Sequence, residues 1–314
     1  MKPFAMVFPG QGSQSVGMLG AWASHPEVQH TLQQASDALG EDLAALIANG
    51  PAEALALTTN TQPVMLAADV AIYRAWQASG GPEPAVLAGH SLGEYAAWVV
   101  AQSLNLSDAV RLVRLRAQAM QQAVPVGQGA MAAVLGLPAE RVVQVCQAVQ
   151  ANMAAGQVVQ AVNFNDPSQT VIAGSAEAVA QATQALKDAG AKRALPLPVS
   201  APFHSSLMQP AAEALAEALA QLPVAPPRIP VVNNVDVAQV TEPAAIRDAL
   251  VRQAAQPVRW VACVQAMAAQ GVQVLAECGP GKVLTGFGKR IAPELVSLSL
   301  AQPTGMDELR ENMQ

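Results

Sequence analysis

The 314-residue chain is 52% hydrophobic and only 13% charged, about half the usual charged share, and carries a formal net charge of −6. A chain this long and apolar buries a large core, which excludes a disordered protein, and its acidic balance without a long basic run argues against nucleic-acid binding. No apolar run reaches the roughly 18 residues that span a bilayer, and Cys146, Cys263 and Cys278 are odd in number without CxxC spacing, so free thiols in a reducing cytoplasm are expected rather than disulfides or a metal site.

Met1-Lys2 precedes a few apolar residues that Pro9-Gly10-Gln11-Gly12 ends too early for a signal peptide, so this stretch reads as a first strand. The loop Gly10-Gln11-Gly12-Ser13-Gln14 after it suits three roles: an oxyanion-hole donor, a phosphate-binding turn, or a tight connection. Residues 4–124 alternate short apolar runs with helical stretches, the pattern of an α/β layer structure.

Ala85-Val86-Leu87-Ala88 reads as a buried parallel strand and Glu94 to Ala101 as a helix. Between them lies Gly89-His90-Ser91-Leu92-Gly93, a Gly-x-Ser-x-Gly in the strand–turn–helix context of a nucleophile elbow. The glycines permit the sharp turn, and Ser91 falls at a helix N-terminus, where N–H groups and the dipole favour a developing anion. A Gly-rich turn with Ser91 as a helix cap is the plainer alternative.

Ser107-Asp108 predicts the start of a helix running to about Ala123. Arg111, Arg114, Gln118, Gln121 and Gln122 share its polar face, whereas Arg116 falls among Leu112, Val113, Ala119 and Met120. A guanidinium in an apolar stripe needs an anion, either an internal carboxylate or that of a substrate, and spacing alone favours the internal one.

From about residue 129 to 199 the order of elements is βαββαβ, the ferredoxin-like unit: strands over 130–135, 158–162, 170–173 and 192–199, helices over 138–149 and 176–189. The runs Ile229–Val232 and Val272–Ala276 then resume the α/β pattern. The fold expected is therefore a large α/β-hydrolase-like domain with a parallel sheet (1–127 and 200–314) and an inserted ferredoxin-like domain (128–199), with a cleft between them.

A serine needs a base. Of four histidines, His25 and His30 lie in a polar helical segment and read as exposed, and His90 should point away from Ser91 within the elbow. That leaves His204, after the last strand of the inserted unit, as the candidate base. No Asp or Glu has a motif placing it beside His204, and a backbone carbonyl is an alternative means of orienting the ring.

In order and spacing these segments resemble the malonyl-CoA:acyl carrier protein transacylases, acyltransferases of fatty-acid and polyketide synthesis. The resemblance covers nearly the whole chain. It rests on Phe8-Pro9-Gly10-Gln11-Gly12-Ser13-Gln14, Gly89 to Tyr95, Arg114-Leu115-Arg116 with Met120 to Pro125, Ala161 to Asn165, Ser200-Ala201-Pro202-Phe203-His204 and Gly279 to Leu284. It implies Ser91 as nucleophile, His204 as base, and the backbone N–H groups of Gln11 and Leu92 as oxyanion hole. It makes Arg116 the clamp for the malonyl carboxylate and the main-chain carbonyl of Gln253 the group orienting His204.

Phe203 is expected to crowd the carbon between the two carbonyls. Trp98 and Gln102 depart from the family pattern, on the helix expected behind Ser91. The implied partners are malonyl-CoA and holo acyl carrier protein, for a cytoplasmic, monomeric fatty-acid enzyme without nucleic-acid, membrane or metal ligands and without a bound cofactor. Lys187, Lys192 and Arg193, or Lys282, Lys289 and Arg290, are candidate docking charges for the acidic carrier.

Two rival readings belong to other classes. A serine hydrolase shares the elbow, but about 110 residues follow His204 in place of the usual late histidine, and Arg116 has no role with neutral acyl chains. A non-catalytic carrier-protein scaffold predicts that Ser91 is never acylated.

Overall fold

The computed structural model describes residues 1–199 and 201–314; Ser200, a motif residue and the expected domain boundary, lies outside the described residues. The strands are β1 (Phe4–Phe8), β2 (Val86–Gly89), β3 (Gly129–Leu135), β4 (Val159–Asp166), β5 (Gln169–Ser175), β6 (Arg193–Pro196), β7 (Val231–Val232), β8 (Val274–Glu277) and β9 (Val296–Ser299).

One sheet has the order β7-β2-β1-β8-β9, with every pairing parallel. β1, β2 and β8 are buried at every position, which is why their sequences are continuous apolar runs rather than alternations. Helices cover both faces. The helix Thr58–Ala78 is buried over most of its circumference in the main core, and Trp260–Ala269 packs on the opposite side of the sheet.

Register decides where the loops emerge. Phe8 lies opposite Gly89 and Ala88 opposite Val232, so the turns after β1, β2 and β7 reach one rim of the sheet together. Ligands of open parallel sheets bind outside these carboxyl ends.

The second sheet has the order β4-β5-β3-β6 and is antiparallel. Its strands and the helices Ala139–Ala151 and Ala176–Asp188 complete the βαββαβ unit with the ferredoxin-like strand order. Both helices bury an apolar stripe (Val142, Cys146, Ala178, Val179, Ala182, Leu186) against Ala132, Val134 and Ile172 on one face. The opposite face, with Met131, Val162, Val171 and Ala173, packs against Phe203. Val258 accepts from Phe164 N (3.0 Å) and donates to Val162 O (2.8 Å), and Arg290 bonds Asp166 at 2.7 Å, so the end of β4 is laced to the larger part.

Three local expectations need correction. The helix bearing Arg116 runs Leu106–Gln122 and is capped by Asn105, whose side chain accepts from Asp108 N at 2.8 Å; Asn is as good a cap as Ser and stands two residues earlier. Gln102 is not on the helix behind Ser91, which ends at Val100, but follows it with φ 63°. His25 is a half-buried cap, accepting from Glu27 N at 3.3 Å. Among the described residues no helix is long and apolar enough to cross a membrane.

Candidate active site

Ser91 sits at φ 53° on the turn between β2 and the helix Gly93–Val100, a left-handed conformation that non-glycine residues rarely adopt. The flanking glycines are a steric requirement. A Cβ on Gly93 would collide with the Phe8 carbonyl, and one on Gly89 would collide with the backbone of Gly93. The helix can therefore start directly against β1 and lift the hydroxyl off the sheet.

His204, also left-handed at φ 64°, brings Nε2 to 2.6 Å from Ser91 Oγ. Its Nδ1 lies 2.8 Å from the main-chain oxygen of Gln253. That oxygen only accepts, so Nδ1 carries the proton and Nε2 is left to accept from the Ser91 hydroxyl. Burial, then the charge of Arg116, pushes the imidazole down to about 3, which keeps it neutral and available as a base.

Arg116 is 2% exposed and projects from the apolar side of its helix, as the spacing indicates. Its Nη1 donates to Gln62 Oε1 (2.8 Å), and its Nη2 to Gln253 Oε1 (3.0 Å) and Ser91 Oγ (3.3 Å). The guanidinium also lies 5.4 Å from the Tyr95 ring centroid. Among the described residues no carboxylate forms an ion pair with it, and Nε has no acceptor. The internal salt bridge that spacing alone favoured is therefore absent. A buried cation bonded only to neutral oxygens, beside a hydroxyl and a neutral base, has the charge and the position to receive an anion from outside.

The loop after β1 closes over the elbow. A Cβ on Gly10 would stand 2.6 Å from the His90 carbonyl oxygen and 3.7 Å from Leu92 N, so glycine is needed for this approach. Gln11 thereby neighbours Leu92, whose N–H precedes the helix and has no intrahelical acceptor. The Gln11 side chain is held by Thr58, which donates to it at 2.8 Å and accepts from Gln62 Nε2 at 3.1 Å. Gln11, Ser91, Leu92, Arg116, Phe203 and His204 all line one cavity of about 110 Å³, with an apolar edge from Met131 on β3 and from Leu197, which directly follows β6.

His90 also edges this cavity, but its Nε2 is bonded to Asn165 at 2.8 Å and its ring stacks edge-on to Trp260. Among the docking charges, Arg290 is committed to Asp166. Several buried polar residues were not singled out in the sequence: Gln62, Asn234, Glu94 and the side chain of Gln253. Asn234 had a readable signal, since a polar residue at the carboxyl end of a parallel strand lies at the binding rim.

The family described as acyl transferase domain matches residues 5–296. The chain is 56% identical over 307 residues to the malonyl CoA-acyl carrier protein transacylase of Escherichia coli K12, covering 98% of each, and 42% identical to that of Bacillus subtilis, covering 96% of this chain and 95% of that one. An acyl-carrier-protein S-malonyltransferase structure from Burkholderia pseudomallei superposes with a TM-score of 0.96 at 59% identity, covering 99% of this chain and all of that one (100%). A malonyl-transacylase solved in complex with a type II polyketide acyl carrier protein superposes equally well, with a TM-score of 0.96 at 51% identity, covering 99% of this chain and 100% of that one.

Proposed function

Because the chain belongs to the acyl transferase family, as an acyltransferase of the malonyl-CoA:acyl carrier protein transacylase kind, we propose that it carries malonyl groups from malonyl-CoA to the pantetheine thiol of acyl carrier protein through an ester on Ser91. The observation that carries this reading is the unpaired guanidinium of Arg116, 3.3 Å from a hydroxyl that is itself 2.6 Å from a neutral histidine. We place the reaction in the cytoplasm and in fatty-acid synthesis, the setting the resemblance implies.

His204 Nε2 takes the Ser91 proton as Oγ attacks the thioester carbonyl, and the backbone N–H groups of Gln11 and Leu92 hold the resulting oxyanion. Collapse breaks the C–S bond, and the imidazolium returns its proton to the departing CoA thiolate. Malonyl-Ser91 remains, with its free carboxylate on Arg116. The carrier thiol then gives its proton to His204 and attacks the ester, and the reverse collapse restores the Ser91 hydroxyl. Each bond made or broken involves only substrate and these protein groups, and all of them come from a single chain.

Initial rates against both substrates test this directly. Parallel double-reciprocal lines are expected, with label exchange between malonyl-CoA and CoA when no carrier protein is present. Intersecting lines without exchange would mean direct transfer.

Phe203 lines the cavity beside His204, and in the proposed reaction it crowds the carbon between the two carbonyls of the malonyl group. Phe203→Ala is expected to admit a methyl branch there and to raise the methylmalonyl-to-malonyl ratio of kcat/KM by roughly 10-fold, the effect of about one methyl group's fit. An unchanged ratio would remove Phe203 from substrate selection.

A further inference from the structure

Glu94 opens the helix behind the nucleophile and is fully buried (0% exposed), yet the transfer described above gives it no task. It does not line the substrate cavity. Its carboxylate accepts from Asn234 N (2.9 Å), Gln253 Nε2 (3.1 Å) and Trp98 Nε1 (3.3 Å).

The first two donors hold the reacting groups. Asn234 Oδ1 accepts from Ser91 N (2.8 Å) and its Nδ2 donates to Gly89 O (2.7 Å), pinning both sides of the strained turn. Gln253 touches all three reacting residues. Its Nε2 donates to Ser91 O at 2.8 Å, its Oε1 accepts from Arg116 at 3.0 Å, and its main-chain oxygen accepts from His204 at 2.8 Å.

A carboxamide has two ends of similar shape, and its neighbours decide which faces where. Here Arg116 can only donate, while Ser91 O and an ionised Glu94 can only accept. Nε2 must therefore face Glu94 and Oε1 must face Arg116. Glu94 in this way supplies negative charge one amide away from the guanidinium. A carboxylate in direct contact would compete with a substrate carboxylate for the guanidinium; one held at this remove does not, and Nε is left without an acceptor.

We propose that Glu94 is a positioning residue for the transfer, setting the Arg116 clamp through the side chain of Gln253 and the Ser91 turn through Asn234. The proposal rests on the malonyl-transfer reading of the site. Burial, only partly offset by its donors and Arg116, raises the Glu94 carboxyl to about 7. The other groups facing it keep their charge state near neutrality. Burial raises Tyr95 to about 12 and raises Cys263 as well, so both stay protonated; Arg116, although lowered by burial, remains a cation; His204, at about 3, remains neutral. Protonating Glu94 would remove the negative charge behind Gln253 and weaken the bonds that Gln253 and Asn234 both make to the same carboxylate oxygen. Activity is therefore expected to be full above pH 7 and to fall as pH drops through it.

The test is the pH profile of kcat/KM with malonyl-pantetheine, which has no phosphate to titrate, measured on the full-length enzyme and on Glu94→Gln and Trp98→Phe. Wild type is expected to show an acid limb near pH 7. Glu94→Gln is expected to remain folded by thermal unfolding and to lose roughly 10- to 100-fold in malonyl transfer, as a small misplacement of reacting groups does, with a smaller loss for acetyl transfer and no acid limb. Trp98→Phe, which removes one donor to Glu94, should move the limb to higher pH, and it serves as the test if Glu94→Gln does not fold. Equal losses for malonyl and acetyl with the limb retained, or a limb unmoved in Trp98→Phe, would overturn the proposal. If Ser91 is never acylated in wild type, the transfer reading itself fails; if it is acylated and the Glu94 variant behaves as wild type, only the positioning role fails.

Discussion

Arg116→Ala is expected to lose malonyl transfer by about 2–5 kcal/mol of transition-state binding, roughly 30- to 4,000-fold in kcat/KM, while gaining acetyl transfer. The reason lies in what surrounds the guanidinium. It is buried, its contacts are the neutral oxygens of Gln62, Gln253 and Ser91, and its Nε has no acceptor. Among the described residues no carboxylate pairs with it directly, and Glu94 reaches it only through Gln253, so in the proposed reaction the direct partner is the substrate carboxylate.

An acetyl group has no carboxylate to offer and leaves the cation unsatisfied, which penalises it in wild type; alanine removes that penalty. A buried, incompletely paired charge also costs stability, so Arg116→Met should unfold at a higher temperature than wild type even as malonyl transfer is lost. Equal losses for malonyl and acetyl substrates would show that Arg116 only supports the surrounding structure.

His204→Ala is expected to lower kcat by roughly 10²- to 10⁴-fold with little change in the KM for malonyl-CoA, since general acid–base catalysis contributes that much and the ring does not bind the malonyl carboxylate. Both half-reactions should slow, because one nitrogen serves as base and then acid in each. The 2.6 Å contact to Ser91 and the carbonyl behind Nδ1 set the tautomer this requires. With the imidazole held at about 3, the defect should persist from pH 5 to 9 rather than recover at either end. A loss under 10-fold, or slowing of the carrier-protein step alone, would assign the proton transfers to another group.

The parts of this site that were legible in the sequence are those with a chemical or spatial signature of their own. Gly-x-Ser-x-Gly between an apolar strand and a helix marks a turn that other residues cannot make, and the collisions awaiting any Cβ at Gly89 and Gly93 explain why. Arg116 is conspicuous because a cation on an apolar stripe demands an explanation, although spacing could not say whether its anion came from within. His204 could be reached by elimination from four histidines.

The group behind His204 was not readable from its own chemistry. A main-chain carbonyl has no residue-type signature, and only the resemblance pointed to Gln253. Glu94, Gln62 and Asn234 are ordinary polar residues in three distant segments, and their meaning arises only when parallel register and the packing of the helix Thr58–Ala78 bring those segments together. The apolar run Ile229–Val232 was readable and holds the two-residue strand β7, whereas the edge strand β9 is too short for a reliable periodic signal; the βαββαβ unit declares itself through element order alone.

The most direct test of the account is intact-mass and peptide-mapping analysis of the enzyme mixed with malonyl-CoA alone. One malonyl group is expected on Ser91, stable without a thiol acceptor and released on adding holo acyl carrier protein. No adduct, an adduct elsewhere, or rapid release of free malonate without an acceptor would contradict it.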